Sequence, residues 1–248
     1  MIKKIITLFK IARRLSQSNI INIVSEFYKI PKIVKFFSYI LSFSFSKSNN
    51  LNNNEKINES EKLCSSIQKM GTTFIKLGQF LSTRPDIIGN EIAKNLENLQ
   101  DKLPPFSTSE AKKIIKRELG ENNYNLLLNI SEPVAAASIA RVHKAQVNDD
   151  GTIKDIAIKI LRPDIKKIFN EEIDALMLLA FLIEGTVKKT KRLKLVEVVF
   201  LLKEITNLEL DLRFEASAAN EFLENTKNDV GFNVPKIFWN YTSQNVLT

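Results

Sequence analysis

The chain has little of several things, and each scarcity excludes something. One cysteine, Cys64, rules out an intrachain disulfide and any multi-cysteine metal site, which suits a reducing compartment. Seven glycines and seven prolines in 248 residues exclude collagen-like and Pro/Gly-rich low-complexity classes. The only histidine is His143. No run reaches the roughly 20 mostly apolar residues of a membrane-spanning helix. The longest apolar stretch, Ile33 to Phe43, is shorter and is interrupted by Lys35. No small-residue cleavage site follows the N-terminal segment, which argues against a secretory signal. With 44% hydrophobic and 26% charged residues, the composition is that of a folded chain.

Acidic residues are nearly missing from one place. Residues 1–48 hold nine basic groups and a single acid, Glu26, so they carry the whole net charge of +8. The other 200 residues balance to zero. Ile5, Ile6, Phe9 and Ile11 lie among these cations, with Phe36, Phe37, Phe43 and Phe45 further on. A basic, aromatic, amphipathic segment suits the headgroup region of an anionic membrane. Docking on the protein body or on a partner suits it equally. The balanced remainder offers no basic face or motif for nucleic acid.

Four regions follow in order: a basic helical segment at 1–48, a polar Asn-rich linker at 49–58, helices over 59–129, and mixed elements over 130–248. The helical stretch predicts segments at Glu59–Leu81 and Asn90–Gln100, with a third from Ser107. Ser107-Thr108-Ser109-Glu110 has the form of a capping box there, after a break at Leu103-Pro104-Pro105. Strands are expected at Ala140–Val147 and Ile153–Leu161, joined through Asn148-Asp149-Asp150-Gly151, and again at Val234–Asn240 and Asn245–Thr248. Helices are expected at Ile165–Glu184 and Lys194–Leu223. This order predicts an α+β unit with a small antiparallel sheet.

Two features point to chemistry. The stretch Pro133-Val134-Ala135-Ala136-Ala137-Ser138 is a turn of small residues, which lets backbone N–H groups approach a phosphate. Lys159 ends the apolar strand Ile156-Ala157-Ile158, where a cation could meet that phosphate. Val134, Ala135, Ala136, Ala137, Ser138, Val142 and Lys159 are therefore the nucleotide-binding candidates, with Glu215 as the partner of Lys159 and the two together as the catalytic candidates. Glu209, Asp211 and Glu215 place three carboxylates within seven residues of one expected helix, where Asp211 and Glu215 share a face. Such a cluster needs cations if buried, and Lys76 and Lys159 are suitable. The bland reading is a solvated lysine, a packing run of alanines and solvated helix carboxylates.

Several separated motifs resemble the UbiB family of atypical kinase-like proteins. They are Leu8-Phe9-Lys10-Ile11-Ala12-Arg13, Lys76-Leu77-Gly78-Gln79, Leu99-Gln100-Asp101-Lys102-Leu103-Pro104-Pro105, Ala135-Ala136-Ala137-Ser138, Ala157-Ile158-Lys159 and Glu209-Leu210-Asp211 with Glu215. The resemblance implies a kinase-like N-lobe preceded by helices. Lys76, Gly78 and Gln79 match the motif of a segment that covers the protein-substrate pocket, and Glu209 and Asp211 match the motif that contacts it, so Lys76 is expected to pair with one of the two. The alanines match the loop over ATP, and Lys159 with Glu215 the nucleotide-positioning pair. The implied ligand is ATP with Mg²⁺, and the implied role is ATPase or atypical kinase support of ubiquinone biosynthesis, on the cytoplasmic side of the inner membrane and peripheral to it. The implied partners are an anionic membrane surface, ubiquinone-biosynthesis proteins or a separately encoded C-lobe. Arg141 stands where the family usually has glutamine, and Gly89-Asn90-Glu91 where proline often precedes the glutamate.

The sequence stops at Val246-Leu247-Thr248, which resembles the strand entering the hinge, so the expectation is an N-terminal portion without a C-lobe that does not hydrolyse ATP alone. Asp229-Val230-Gly231 lies too early for a DFG-type triplet and reads as a turn. His143 reads as a packed strand residue. The rival reading is a non-enzymatic, membrane-associated helical protein or the product of a degraded gene.

Overall fold

The computed structural model describes residues 2–18, 59–99, 106–149, 151–186 and 188–248. The apolar stretch from Ile33 to Phe45 and the 49–58 linker lie outside them. The chain forms two compact units, residues 1–101 with 167–203 and residues 102–166 with 204–248.

The first unit is helical. Its elements are α1 (Ile2–Gln17), α2 (Glu59–Met70), α3 (Thr72–Ser82), α4 (Pro85–Ile88) and α5 (Asn90–Leu96). Most of α7 (Ile165–Thr186), a 3₁₀ turn at Lys188–Leu193 and the first part of α8 (Leu195–Glu209) complete it. The helix expected over Glu59–Leu81 is broken at Gly71, whose φ of 100° and ψ of −177° lie where only glycine sits without strain. The next expected helix ends at Leu96 rather than Gln100. Leu63 of α2 packs with Ile92 and Leu96 of α5, flanked by Ile67, Leu81 and Ile88. Arg14 of α1 reaches Glu172 of α7 at 2.6 Å. Along α7, Phe169, Ile173, Leu176 and Ala180 are buried at three- and four-residue spacing, one stripe of a helix. The Cys64 thiol donates to the Asn95 carbonyl, and burial pushes its pKa up.

The second unit carries the sheet. It holds α6 (Thr108–Asn125), β1 (Leu127–Leu128), β2 (Pro133–Ala136), β3 (Ala140–Asp149), β4 (Thr152–Leu161), α9 (Leu212–Thr226), a 3₁₀ turn at Trp239–Tyr241 and β5 (Val246–Leu247). The strands are antiparallel in the order β1-β3-β4-β5, and β2 also pairs with β3. The Asn148–Gly151 turn signal holds. Asp149 pairs with Thr152, and the Gly151 amide donates to the Asn148 side chain. The Ser107 hydroxyl accepts from the Glu110 amide and caps α6. Ile156, Ile158 and Ile160 of β4 and Ala145 and Val147 of β3 press on Ala111, Ile114 and Ile115 of α6. Each fully buried aliphatic side chain contributes about 1.5–3 kcal/mol.

Three expectations are corrected here. Val234–Asn240 forms no strand. Pro235 has no amide to donate, and the Phe238 amide donates to the Thr248 carbonyl before the chain turns at Trp239–Tyr241. The helix expected over Lys194–Leu223 is two helices, parted at Leu210-Asp211, where Asp211 adopts extended φ/ψ and caps α9. The small-residue turn is shorter than Pro133–Ser138, because Pro133–Ala136 pairs with β3 as a strand. Asp229-Val230-Gly231 is a turn, as expected, with Gly231 at φ 104°.

Candidate nucleotide site

Cross-strand register assembles the site. Ala135 of β2 pairs with Val142 of β3, Val142 with Lys159 of β4, and Lys159 with Leu247 of β5. These four residues form one row across the sheet. Because strand side chains alternate, Ile158 and Ile160 enter the core under α6, whereas Lys159 and Ala157 line a cavity on the other face. That cavity has a volume of about 820 Å³ and includes Val142, Ala157, Lys159, Glu215, Phe238 and Leu247 in its wall.

Helix α9 brings Glu215 to Lys159. The Asp211 carboxylate accepts from the Arg213 amide at 3.1 Å and fixes the start of the helix. The Leu212 amide donates to the Gln244 carbonyl, and the Leu161 amide to the Asn245 carbonyl, so one loop ties α9 to the end of β4. Glu118 of α6 holds the same loop, accepting from Ser243 and from Asn245. From this base Glu215 places both oxygens on the Lys159 ammonium, at 2.8 and 2.7 Å. The Lys159 side chain is 29% exposed and that of Glu215 51%, so solvent screens the pair and its net worth is about 0–1 kcal/mol. Such a pair positions groups more than it stabilises the fold.

The three carboxylates do not share one helix. Glu209 ends α8, Asp211 is the cap, and only Glu215 lies within α9. The partner of Asp211 is Arg213, whose Nε and Nη2 donate at 2.9 and 2.6 Å. Sequence reading missed Arg213. A cation two residues beyond an aspartate cap is the signal that would have found it. The Arg213 guanidinium holds the Asp211 carboxyl below the usual carboxylate range, against the opposing effect of burial.

The alanine segment is exposed from Val134 to Ala137, and these residues are outside the cavity wall. Its turn closes with the Ala137 amide on the Ala140 carbonyl, and the Arg162 amide donates to Ile139. Ser138 is buried, and among the described residues its hydroxyl makes no hydrogen bond. Arg141 is buried too, with its guanidinium 4.7 Å from the Phe106 ring centre. Its Nε and Nη1 find no partner among the described residues. His143 is fully buried with Nδ1 2.8 Å from the Ser131 carbonyl, a packed strand residue as expected.

Lys76, Gly78 and Gln79 lie on α3 in the first unit. A Cβ at Gly78 would sit 2.6 Å from Cδ2 of Leu99, so a side chain there displaces Leu99.

The site fits a nucleotide. Its volume is within the 300–1,000 Å³ of small-molecule pockets. Val142, Ala157 and Leu247 offer an apolar surface for a base, and Lys154, Lys159 and Lys236 outnumber Asp155 and Glu215 in the wall. Among the described residues, no three metal-ligating side chains converge.

Comparison with known proteins places the chain among its relatives. The model of the ABC1 atypical kinase-like domain matches residues 98–248. Proteins described as "Probable protein kinase UbiB" from Marinobacter nauticus and Cellvibrio japonicus are each 36% identical over 188 residues, 75% of this chain and 34% of the relative. One from Azotobacter vinelandii is 35% identical over 187 residues. The chain thus spans about a third of the length of the curated relatives it matches. Because the family model matches residues 98–248, more than half of the chain and the whole of the second unit, the chain belongs to the ABC1 atypical kinase-like family.

Proposed function

We propose that this chain supplies the nucleotide-binding face of a UbiB-like atypical kinase or ATPase that supports ubiquinone biosynthesis at a membrane. The observation that carries the reading is the two-oxygen contact of Glu215 with Lys159, in the row Ala135–Val142–Lys159–Leu247 beside an 820 Å³ cavity. Bound ATP would supply an activated phosphoryl group. In this reading the chain's own residues hold it: Val142, Ala157 and Leu247 against the base, Lys159 on a phosphate oxygen, and Glu215 keeping the lysine extended. The exposed alanines of β2 and its turn let backbone approach the phosphates. Mg²⁺ stands as an implication of the family, and the described residues gather no carboxylate set for it.

Residues 1–48 are proposed to hold the protein at an anionic membrane surface, peripheral and on the cytoplasmic side. No described helix is long and apolar enough to cross a membrane. Ubiquinone-biosynthesis proteins are the proposed protein partners.

Titration with a fluorescent ATP analogue, followed by displacement with ATP, tests the nucleotide reading. Wild type binds saturably. Lys159→Ala lowers affinity about tenfold or more, because a hydrogen bond to a charged group is worth roughly 1.5–3 kcal/mol. Glu215→Gln has a smaller effect of the same sign. Equal affinity in wild type and Lys159→Ala, or no displacement by ATP, refutes the reading. Vesicle binding without nucleotide binding would favour the non-enzymatic alternative.

A further inference from the structure

The first unit holds two adjoining cavities that the nucleotide site does not use. One, about 470 Å³, has an almost wholly apolar wall that includes Leu15 of α1, Ile67 of α2, Phe74 and Gly78 of α3 and Leu176 of α7. The other, about 300 Å³, has a mixed wall whose charged members are Arg84, Asp86, Arg192, Lys194 and Glu197. Ile87 and Leu193 line both, so the apolar cavity opens directly beside the charged one.

The charges there are unequal. Arg84 is engaged by Asp86 at 2.7 Å and Lys194 by Glu197 at 2.9 Å. Arg192 is exposed and makes no ion pair or hydrogen bond among the described residues. It belongs to Lys188-Lys189-Thr190-Lys191-Arg192-Leu193-Lys194, which has five basic residues in seven and no acid. Among the lining residues Arg84, Arg192 and Lys194 stand against Asp86 and Glu197, so the rim has one positive charge in surplus and an available guanidinium, which suits a carboxylate or phosphate. The apolar chamber suits hydrocarbon. Polar solutes gain nothing there, and the apolar wall is partly open to solvent, so a hydrocarbon chain seated on it removes apolar surface from water.

We infer that the two cavities bind one long-chain anionic amphiphile, with its hydrocarbon tail among Leu15, Ile67, Phe74 and Leu176 and its acidic head at Arg192. Phe74 and Gly78 place α3 in the wall of the tail chamber, so occupancy bears on the helix that also carries Lys76 and Gln79. The inference needs neither nucleotide binding nor vesicle binding.

The test uses the full 248-residue chain and a dansylated undecanoic acid, kept below its micellar concentration and without vesicles. Wild type binds one equivalent saturably. Ile67→Trp, which fills the chamber, lowers affinity about tenfold or more. Arg192→Glu changes an exposed side chain and leaves the fold intact. It lowers affinity for the acid a few-fold, as expected of a rim charge, and leaves binding of the neutral amide analogue unchanged. If Ile67→Trp does not fold, the acid–amide comparison on Arg192→Glu decides. Absence of saturable one-to-one binding by wild type overturns the proposal. So does equal binding of the acid by wild type and Arg192→Glu, or equal binding of either probe by a folded Ile67→Trp.

Discussion

Asp211 does two jobs with one carboxylate. It caps α9 through the Arg213 amide and ion-pairs with the Arg213 side chain, while its own side chain is only 11% exposed. Asp211→Ala removes the cap and the pair together. The expected loss is about 1–2 kcal/mol in denaturant unfolding, the range for a lost N-cap. Asp211→Asn keeps a capping oxygen and falls between the two. The folded carboxyl is depressed below its unfolded value, so its contribution is fully present above the unfolded pKa near 4 and fades as pH falls through the lower folded value. Stability measured from pH 6 down to pH 2 therefore declines less steeply in Asp211→Ala than in wild type. Parallel curves would show that Arg213 does not hold the carboxylate. The sequence showed Asp211 as a motif residue but not its partner, because an aspartate ending one helix and capping the next looks, in one dimension, like the interior of a single long helix. Arg141 was legible only as a departure from the family. Its burial against Phe106 requires the fold.

At the scale of elements, alternation and turn chemistry were enough for β3, β4 and their two-residue turn, and the Ser107 cap was readable from its hydroxyl and spacing. The helix breaks were not. Gly71 lies inside the helix expected over Glu59–Leu81, whereas Gly185 lies just past the end expected at Glu184, yet the structure breaks the first helix and carries the second on to Thr186. In the fold they are opposites. Gly71 has a φ of 100° with nothing within 4 Å of a Cβ placed there, whereas Gly185 has no positive φ and equally open surroundings. Alanine at Gly71 forces a side chain into a backbone region close to glycine-only and costs about 1–3 kcal/mol. Alanine at Gly185, inside α7, raises stability by about 0.5–1 kcal/mol through helix propensity. Thermal unfolding of the two variants should shift in opposite directions. A shift of the same sign in both would mean that the α2–α3 break does not depend on the Gly71 backbone. The strand expected at Val234–Asn240, which the fold lacks, has a similar origin. Its apolar pattern resembles a strand, but Pro235 removes an amide, and the Asn240–Thr242 segment turns back toward Thr248 instead of extending.

For the whole molecule, the separation of charge is the strongest property the sequence carries, and no contact map is needed to read it. The net +8 belongs to residues 1–48, and the rest is neutral. On α1 the apolar residues Ile5, Ile6 and Phe9 are exposed, while Ile11 is buried and Arg14 is committed to Glu172. Arg14 is thus part of the fold, and Lys3, Lys4 and Lys10 are the residues to change when the membrane reading is tested. Each basic group near an anionic surface contributes about 1 kcal/mol, so replacing these three by glutamine should weaken binding to phosphatidylserine-containing vesicles by about 3 kcal/mol, roughly a hundredfold. Binding of wild type should fall with added salt as the Debye length shrinks from about 10 Å at 0.1 M. Phe9→Ser should weaken binding at every salt concentration, since the loss is of apolar burial. Circular dichroism and unchanged thermal unfolding would show that the body is intact in each variant. Co-sedimentation that ignores salt and the three-lysine change would place the charge elsewhere in the protein's work, and the apolar face of α1 would then need a protein partner to cover it.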